Sequence, residues 1–211
     1  MACTLRLMPE QTESRATAKS RLREYVILIA VAAVVAFGVR TFLVQTFFIP
    51  SQSMEQTLLI DDKVLVNKTA YKFGQEPGRG EIAVFTPPSS WGAEPDQHYI
   101  KRIIGVAGDR VVCCDGDGKV TVNGKPLAED YLFPGDAPSD VPFDVTVPAG
   151  NIFVLGDHRS ESGDSRMHLF ADDGMVRTDR LIGRAFATYW PPSRMRMLEV
   201  PATFTDVPMR D

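Results

Sequence analysis

Residues 25–44 limit what this chain can become more than any other stretch. Apart from Arg40 the run carries no charge, and it is apolar on every helical face, unlike a surface helix with one apolar stripe. A helix of about 20 residues crosses the ~30 Å hydrocarbon layer of a bilayer. Arg15, Lys19, Arg21 and Arg23 cluster just before the run, and such an excess of cations places the N-terminus on the cytoplasmic side. Arg40 falls near one end, where a long side chain reaches the interface. The expected layout is a cytoplasmic tail over 1–24, a transmembrane helix over 25–44 and an extracytoplasmic domain over 45–200, with Phe47 and Phe48 near the headgroups. Two other readings of the run stay open. A buried core helix is one. A cleaved secretory signal is the other, because Ala36-Phe37-Gly38 puts small residues where cleavage needs them. Against cleavage, Glu24 abuts the apolar run, and apolar character resumes after Arg40.

Beyond residue 59 the pattern changes to short β-rich runs between turns. Residues 64–66, 82–85, 99–104, 111–112, 120–122, 152–155 and 185–190 read as strands. Asn123-Gly124 signals a hairpin, since both central positions of a type I′ turn need positive φ. Residues 74–80 and 86–96 read as loops, the second carrying Pro87-Pro88 and Pro95. The implied body is mainly β, a partly closed barrel or pair of sheets. Residues 106–148 form a small inserted β sub-domain, and 201–211 a loose C-terminal tail.

Charge and cysteine content narrow the function. The net charge of −4 argues against a nucleic-acid binder, which is usually basic overall. Cys3, Cys113 and Cys114 are the only cysteines and give no disulfide framework. Adjacent cysteines do not easily reach disulfide geometry, so Cys113 and Cys114 are expected to be free thiols. No Cys/His spacing resembles a zinc site, and no metal or other cofactor is expected.

Three stretches are rich in reactive groups. Phe47-Phe48-Ile49-Pro50-Ser51-Gln52-Ser53-Met54-Glu55-Gln56-Thr57-Leu58 ends an apolar run at Pro50 and sets two serines one residue apart. A serine hydroxyl is a poor nucleophile until a base takes its proton. The histidines are His98, His158 and His168, but neither G-x-S-x-G nor S-x-x-K occurs. A lysine serves as base if burial disfavours its charged form. Lys101, in Tyr99-Ile100-Lys101-Arg102-Ile103-Ile104, is the candidate; the competing reading is a solvated lysine on an outer strand face. The third stretch is Gly156-Asp157-His158-Arg159-Ser160-Glu161-Ser162-Gly163-Asp164-Ser165-Arg166. It is either a charged surface turn, with an Asp157–Arg159 or Asp164–Arg166 pair, or a functional loop.

Together these stretches resemble the bacterial type I signal peptidases, membrane-bound Ser-Lys proteases. Ile49-Pro50-Ser51-Gln52-Ser53-Met54 through Thr57-Leu58 is similar to the family's nucleophile box. Arg79-Gly80-Glu81-Ile82-Ala83-Val84-Phe85 with 99–105 is similar to its base box, and 156–166 to its final box. The resemblance implies that Ser53 is the nucleophile and Lys101 the general base. It implies that Ser51, with the backbone N–H of Ser53, forms the oxyanion hole, and that Ser162 orients the lysine. Asp164 and Arg166 would shape the loop carrying Ser162. Phe47, Ile49, Leu58, Tyr99 and Ile100 would line shallow substrate pockets. Gln52, His98 and His158 depart from the usual residues at their positions.

The function this implies is a serine endopeptidase of the cell membrane, single-pass, that removes signal peptides from secretory preproteins after small residues at positions −1 and −3. Its partners would be those preproteins and the lipid bilayer. Two alternatives stand beside it: another Ser-Lys protease of the self-cleaving repressor type, and a tethered, non-enzymatic β domain that binds a partner.

Overall fold

The computed structural model describes residues 13–94 and 96–208, apart from the side chains of 13–20, 39, 41, 42 and 172. The expected tail therefore lies outside the described residues up to position 12. The chain divides into two units, Met1–Phe42 and Leu43–Asp211.

The first unit is one helix, α1 (Glu13–Phe42). Its apolar side chains stand outward on all sides, with Tyr25, Ile29, Val34 and Phe37 among the most exposed. Among the described residues, no helix is long and apolar enough to cross a membrane. The expected span includes residues 39, 41 and 42, whose side chains are not described. Its boundary also moves: Val44 opens a strand rather than ending the helix. The apolar run hid that change, because a half-buried strand and a lipid-facing helix end use the same residue types.

The second unit is mainly β. Its larger sheet is built from β1 (Val44–Phe48), β2 (Lys63–Asn67), β3 (Ile82–Phe85), β4 (Tyr99–Val106), β9 (Asn151–Leu155), β10 (Val176–Arg177), β11 (Leu181–Trp190) and β12 (Arg196–Met197). The strand order is β1-β2-β11-β3-β4-β9-β10, with β12 also pairing β11, and every pairing is antiparallel. A smaller sheet, ordered β7-β6-β5-β8, uses β5 (Arg110–Cys113), β6 (Thr121–Val122), β7 (Lys125–Pro126) and β8 (Phe143–Thr146). The β6–β7 turn is the one signalled by Asn123-Gly124, with φ of 52° and 80°.

Strand β3 shows why the larger sheet is buried on both faces. Successive side chains point to opposite sides. Ile82 and Val84 enter a cluster with Ile49, Met54, Leu58 and Val66, while Ala83 and Phe85 enter another with Trp91, Ile103 and Val154. A third cluster joins the smaller sheet, through Val111, Val122 and Phe143, to Ile104, Phe153 and Leu155.

Two expectations are corrected here. The C-terminal segment is not loose as far as it is described: Phe204 and Val207 are buried in the third cluster, and Val207 O accepts from Arg79 at 3.1 Å. Two apolar side chains three residues apart were enough to dock it, and the polar residues around them concealed them. Cys113 and Cys114 are not free thiols. They form a disulfide across a cis peptide bond, against the expectation that adjacent cysteines do not easily reach disulfide geometry.

Candidate active site

The nucleophile stretch becomes a turn-rich loop between β1 and β2, closed at its base by Ile49 N–H to Asp62 O at 2.9 Å and Asp61 N–H to Ile49 O at 3.0 Å. Met54 and Leu58 are fully buried and anchor it, each worth about 1.5–3 kcal/mol of burial. Leu58 N–H donates to Met54 O at 2.7 Å and Glu55 N–H to Gln52 O at 2.8 Å. These bonds fix the backbone on the C-terminal side of Ser53. Ser53 O in turn accepts from His158 N–H at 3.2 Å, which ties the nucleophile loop to the 156–166 segment.

Lys101 comes from β4, where Ala83 is its cross-strand partner. Its side chain is only 5% exposed, so it is no solvated outer-face lysine. Nζ lies 2.6 Å from Ser53 Oγ, in hydrogen-bonding contact, and Ser53 is itself buried. No carboxylate forms an ion pair with this amine among the described residues. Burial therefore dominates and takes its pKa down from 10.5 to about 8, against the opposing pull of Asp164 and Asp157; Arg166 adds to the lowering. An amine so placed is partly uncharged near neutrality and lies within hydrogen-bonding reach of a serine hydroxyl, the geometry a general base needs.

The remaining predicted residues divide. Ser51 is exposed, with Oγ 3.4 Å from Ser53 Oγ. Asp164 and Arg166 form the expected pair, Oδ1 accepting from Nε at 2.9 Å and Oδ2 from a terminal guanidinium nitrogen at 2.9 Å. Asp164 Oδ2 also accepts from Gly156 N–H at 3.0 Å, so the pair holds the loop's two ends together. Ser162 is buried, but its hydroxyl has no hydrogen-bond partner. The bond to Lys101 that the resemblance implies is not formed here, because the amine is directed to Ser53. The Ser162 hydroxyl packs against Gly156 instead: a Cβ on Gly156 would lie 2.2 Å from Ser162 Oγ and 2.4 Å from Ser53 O.

A cleft of about 270 Å³ opens over the dyad. Phe47, Ile49, Tyr99 and Ile100 line it, together with Ser51, Ser53 and Lys101. Leu58 does not line it; it faces inward with Val64 and Val84, as an anchor of the loop. His98 lines the cleft edge-on to Phe47, their ring centres 5.7 Å apart. Gln52 is exposed and does not line it. His158 stacks on Phe133 at 3.9 Å, with Nδ1 3.4 Å from a Glu55 carboxylate oxygen.

Sequence reasoning missed the supports behind the dyad. Asp157 is completely buried and accepts from Arg102 at 2.8 and 2.6 Å and from Thr57 Oγ1 at 2.5 Å. Arg102 also donates to Gly80 O at 2.8 Å and lies 4.3 Å from the Tyr131 ring centre. Arg159 pairs not with Asp157 but with Glu129. These partners lie 55 and 30 residues apart in the chain, and nothing local in the sequence could link them. The missing glycine signal was available: a glycine inside a polar, serine-rich loop marks a close backbone approach.

Comparison with known proteins bears on this arrangement. The family model for signal peptidase, peptidase S26, matches residues 22–190. Signal peptidase I of Mycobacterium tuberculosis is 35% identical over a region covering 86% of this chain and 77% of that protein. Probable signal peptidase I-2 of Synechocystis is 42% identical, covering 79% of this chain and 72% of the relative. A crystal structure of a signal peptidase I from Enterococcus faecalis V583 is 29% identical, with a TM-score of 0.40, covering 52% of this chain and 97% of that one. The extent of the family match and of these relatives places the three sequence boxes in one protein type: the chain belongs to the signal peptidase family, peptidase S26, and is a peptidase.

Proposed function

We propose that this peptidase cleaves signal peptides from secretory preproteins with a Ser53–Lys101 dyad. The observation that carries the reading is the 2.6 Å contact between a buried lysine amine and a buried serine hydroxyl under an open cleft. Ser53 Oγ attacks the scissile carbonyl carbon as the uncharged Lys101 amine takes its proton. The Ser51 hydroxyl and the Ser53 N–H hold the oxyanion, an interaction worth about 3–4 kcal/mol per donor in comparable sites. The Lys101 ammonium then protonates the leaving amine, and the C–N bond breaks to leave an ester on Ser53. Water, deprotonated by Lys101, attacks the ester, and the proton returns to Ser53.

Apolar side chains at Phe47, Ile49, Tyr99 and Ile100 make the cleft wall. Such a wall admits alanine at −1 and −3 and excludes longer side chains by clash. The substrate would bind extended, adding its backbone hydrogen bonds to a sheet edge.

Residues 25–42 would hold the enzyme in the cell membrane, N-terminus inside and the β unit outside. The outward apolar side chains of α1 and the basic residues before them support this. A tether keeps enzyme and substrate in one plane and raises their effective concentration. The test is N-terminal sequencing of a secretory precursor after incubation with wild-type, Ser53→Ala and Lys101→Ala protein. Only the wild type should yield the trimmed product. Equal cleavage by Ser53→Ala ends the dyad reading, and unchanged precursor binding without any cleavage by wild type would favour a binding domain instead. Resistance of the chain to alkaline extraction from membranes tests the tether.

A further inference from the structure

Glu161 lines the same cleft as Ser53 and Lys101, and among the described residues it is the only carboxylate that does so. Its side chain is exposed, and among the described residues no hydrogen bond or ion pair reaches its carboxylate. Its backbone, in contrast, is held on both sides. Ser160 N–H and Oγ donate to Asp136 at 3.2 and 2.9 Å. Arg159 before it is buried against Glu129, and Ser162 after it is buried against Gly156. A rigid loop thus presents one unpaired negative charge to the cleft, one residue from Ser162. The charge is not there to tune the base, because the carboxylates acting on Lys101 are Asp164 and Asp157. The other titratable groups lining the cleft are Lys101, which must be uncharged to work, His98 and Tyr99.

We propose that Glu161 is a specificity-determining residue. It favours a lysine or arginine within two residues of the scissile bond and disfavours an acidic residue there. The inference rests on the peptidase reading above and deepens it. Small residues at −1 and −3 leave the intervening and following positions to carry charge, and an extended peptide in the cleft brings one of them past the Glu161 carboxylate. An exposed charge on a binding-site rim acts mostly through long-range attraction.

The test uses the full-length chain in detergent micelles. Peptides with alanine at −1 and −3 carry lysine, serine or glutamate in turn at −2, +1 and +2. In the wild type, kcat/KM for lysine over glutamate should be about two- to five-fold at one of these positions, the range of an exposed ion pair. The ratio should fall toward one in Glu161→Gln, invert in Glu161→Lys, and shrink as salt is raised. Equal ratios in wild type and Glu161→Gln at all three positions overturn the proposal. Failure of the wild type to cleave any serine peptide strikes the peptidase reading itself, and this inference falls with it.

Discussion

Lys101 and Arg102 are neighbours on one strand, both long cations, and both almost completely buried, at 5% and 2% exposure. Their surroundings are opposite. Arg102 meets a carboxylate with two nitrogens, a carbonyl and a hydroxyl, so each of its three guanidinium nitrogens has an acceptor. Lys101 meets one serine hydroxyl. A buried guanidinium with a bidentate partner stays charged and serves structure. A buried amine without one gives up its proton and becomes available for chemistry. Strand alternation makes the contrast possible, because adjacent residues face different environments. The pairing of Asp157 with Arg102 also keeps that carboxylate from moving onto the lysine.

Exchanging the two chemistries gives the largest effect. Lys101→Arg should lower kcat by about four orders of magnitude or more, as with other members of a catalytic unit. Arginine cannot lose its proton in the working range, so retained activity would separate the reaction from an uncharged base.

Removing the carboxylate comes next. Asp157→Ala leaves Arg102 buried and unpaired, which should cost about 3–5 kcal/mol in denaturant unfolding. The comparison is Arg110→Ala at the exposed Arg110–Asp144 pair, where both side chains are about half exposed and the loss should be far smaller because solvent screens the pair. Similar losses at both pairs would undo the distinction drawn from burial.

Burying Lys101 should itself cost stability. Its folded pKa of about 8 lies below the ordinary lysine value of 10.5, so the unfolded chain binds the proton more tightly. The cost is full below pH 8, fades as pH rises toward 10.5, and is absent above that. Lys101→Met should therefore be more stable than wild type by about 3 kcal/mol at pH 7. The two should converge at strongly alkaline pH. A gap independent of pH would assign the gain to packing instead.

The smallest effect is in the wild type's own pH profile. In the proposed mechanism only uncharged Lys101 takes the serine proton, so log kcat/KM should rise with unit slope below pH 8 and level off above it, with the break near the pKa of about 8. A break near 6.5 would point to a histidine, and His98 is the histidine in the cleft.

The chain's linear order made some of this legible and hid the rest for definite reasons. Runs of β-branched residues at 82–85, 99–104 and 152–155 marked strands because both faces of the sheet are covered. β1 begins inside the apolar run before it, and β8 alternates apolar and polar residues but is only four residues long in a stretch bounded by Pro142 and Pro148. Of the site, Ser53 and Lys101 could be named from their boxes. Leu58 shows the limit of such naming: its position in the box was noted, but its direction is set by the β1–β2 loop's packing, and it points into the core.

The sequence alone determined the segregation of an apolar helix from a β unit and the mainly β character of that unit, since these follow from local composition and periodicity, whereas Ser53 and Lys101 were singled out only by the resemblance of their boxes to a family. Tertiary structure decided which cation is paired and which is not, that Gly156 must lack a side chain, and that Glu161 faces the cleft. Those outcomes depend on groups tens of residues apart meeting where water is scarce, and there a contact of a few ångströms outweighs any local preference of the chain.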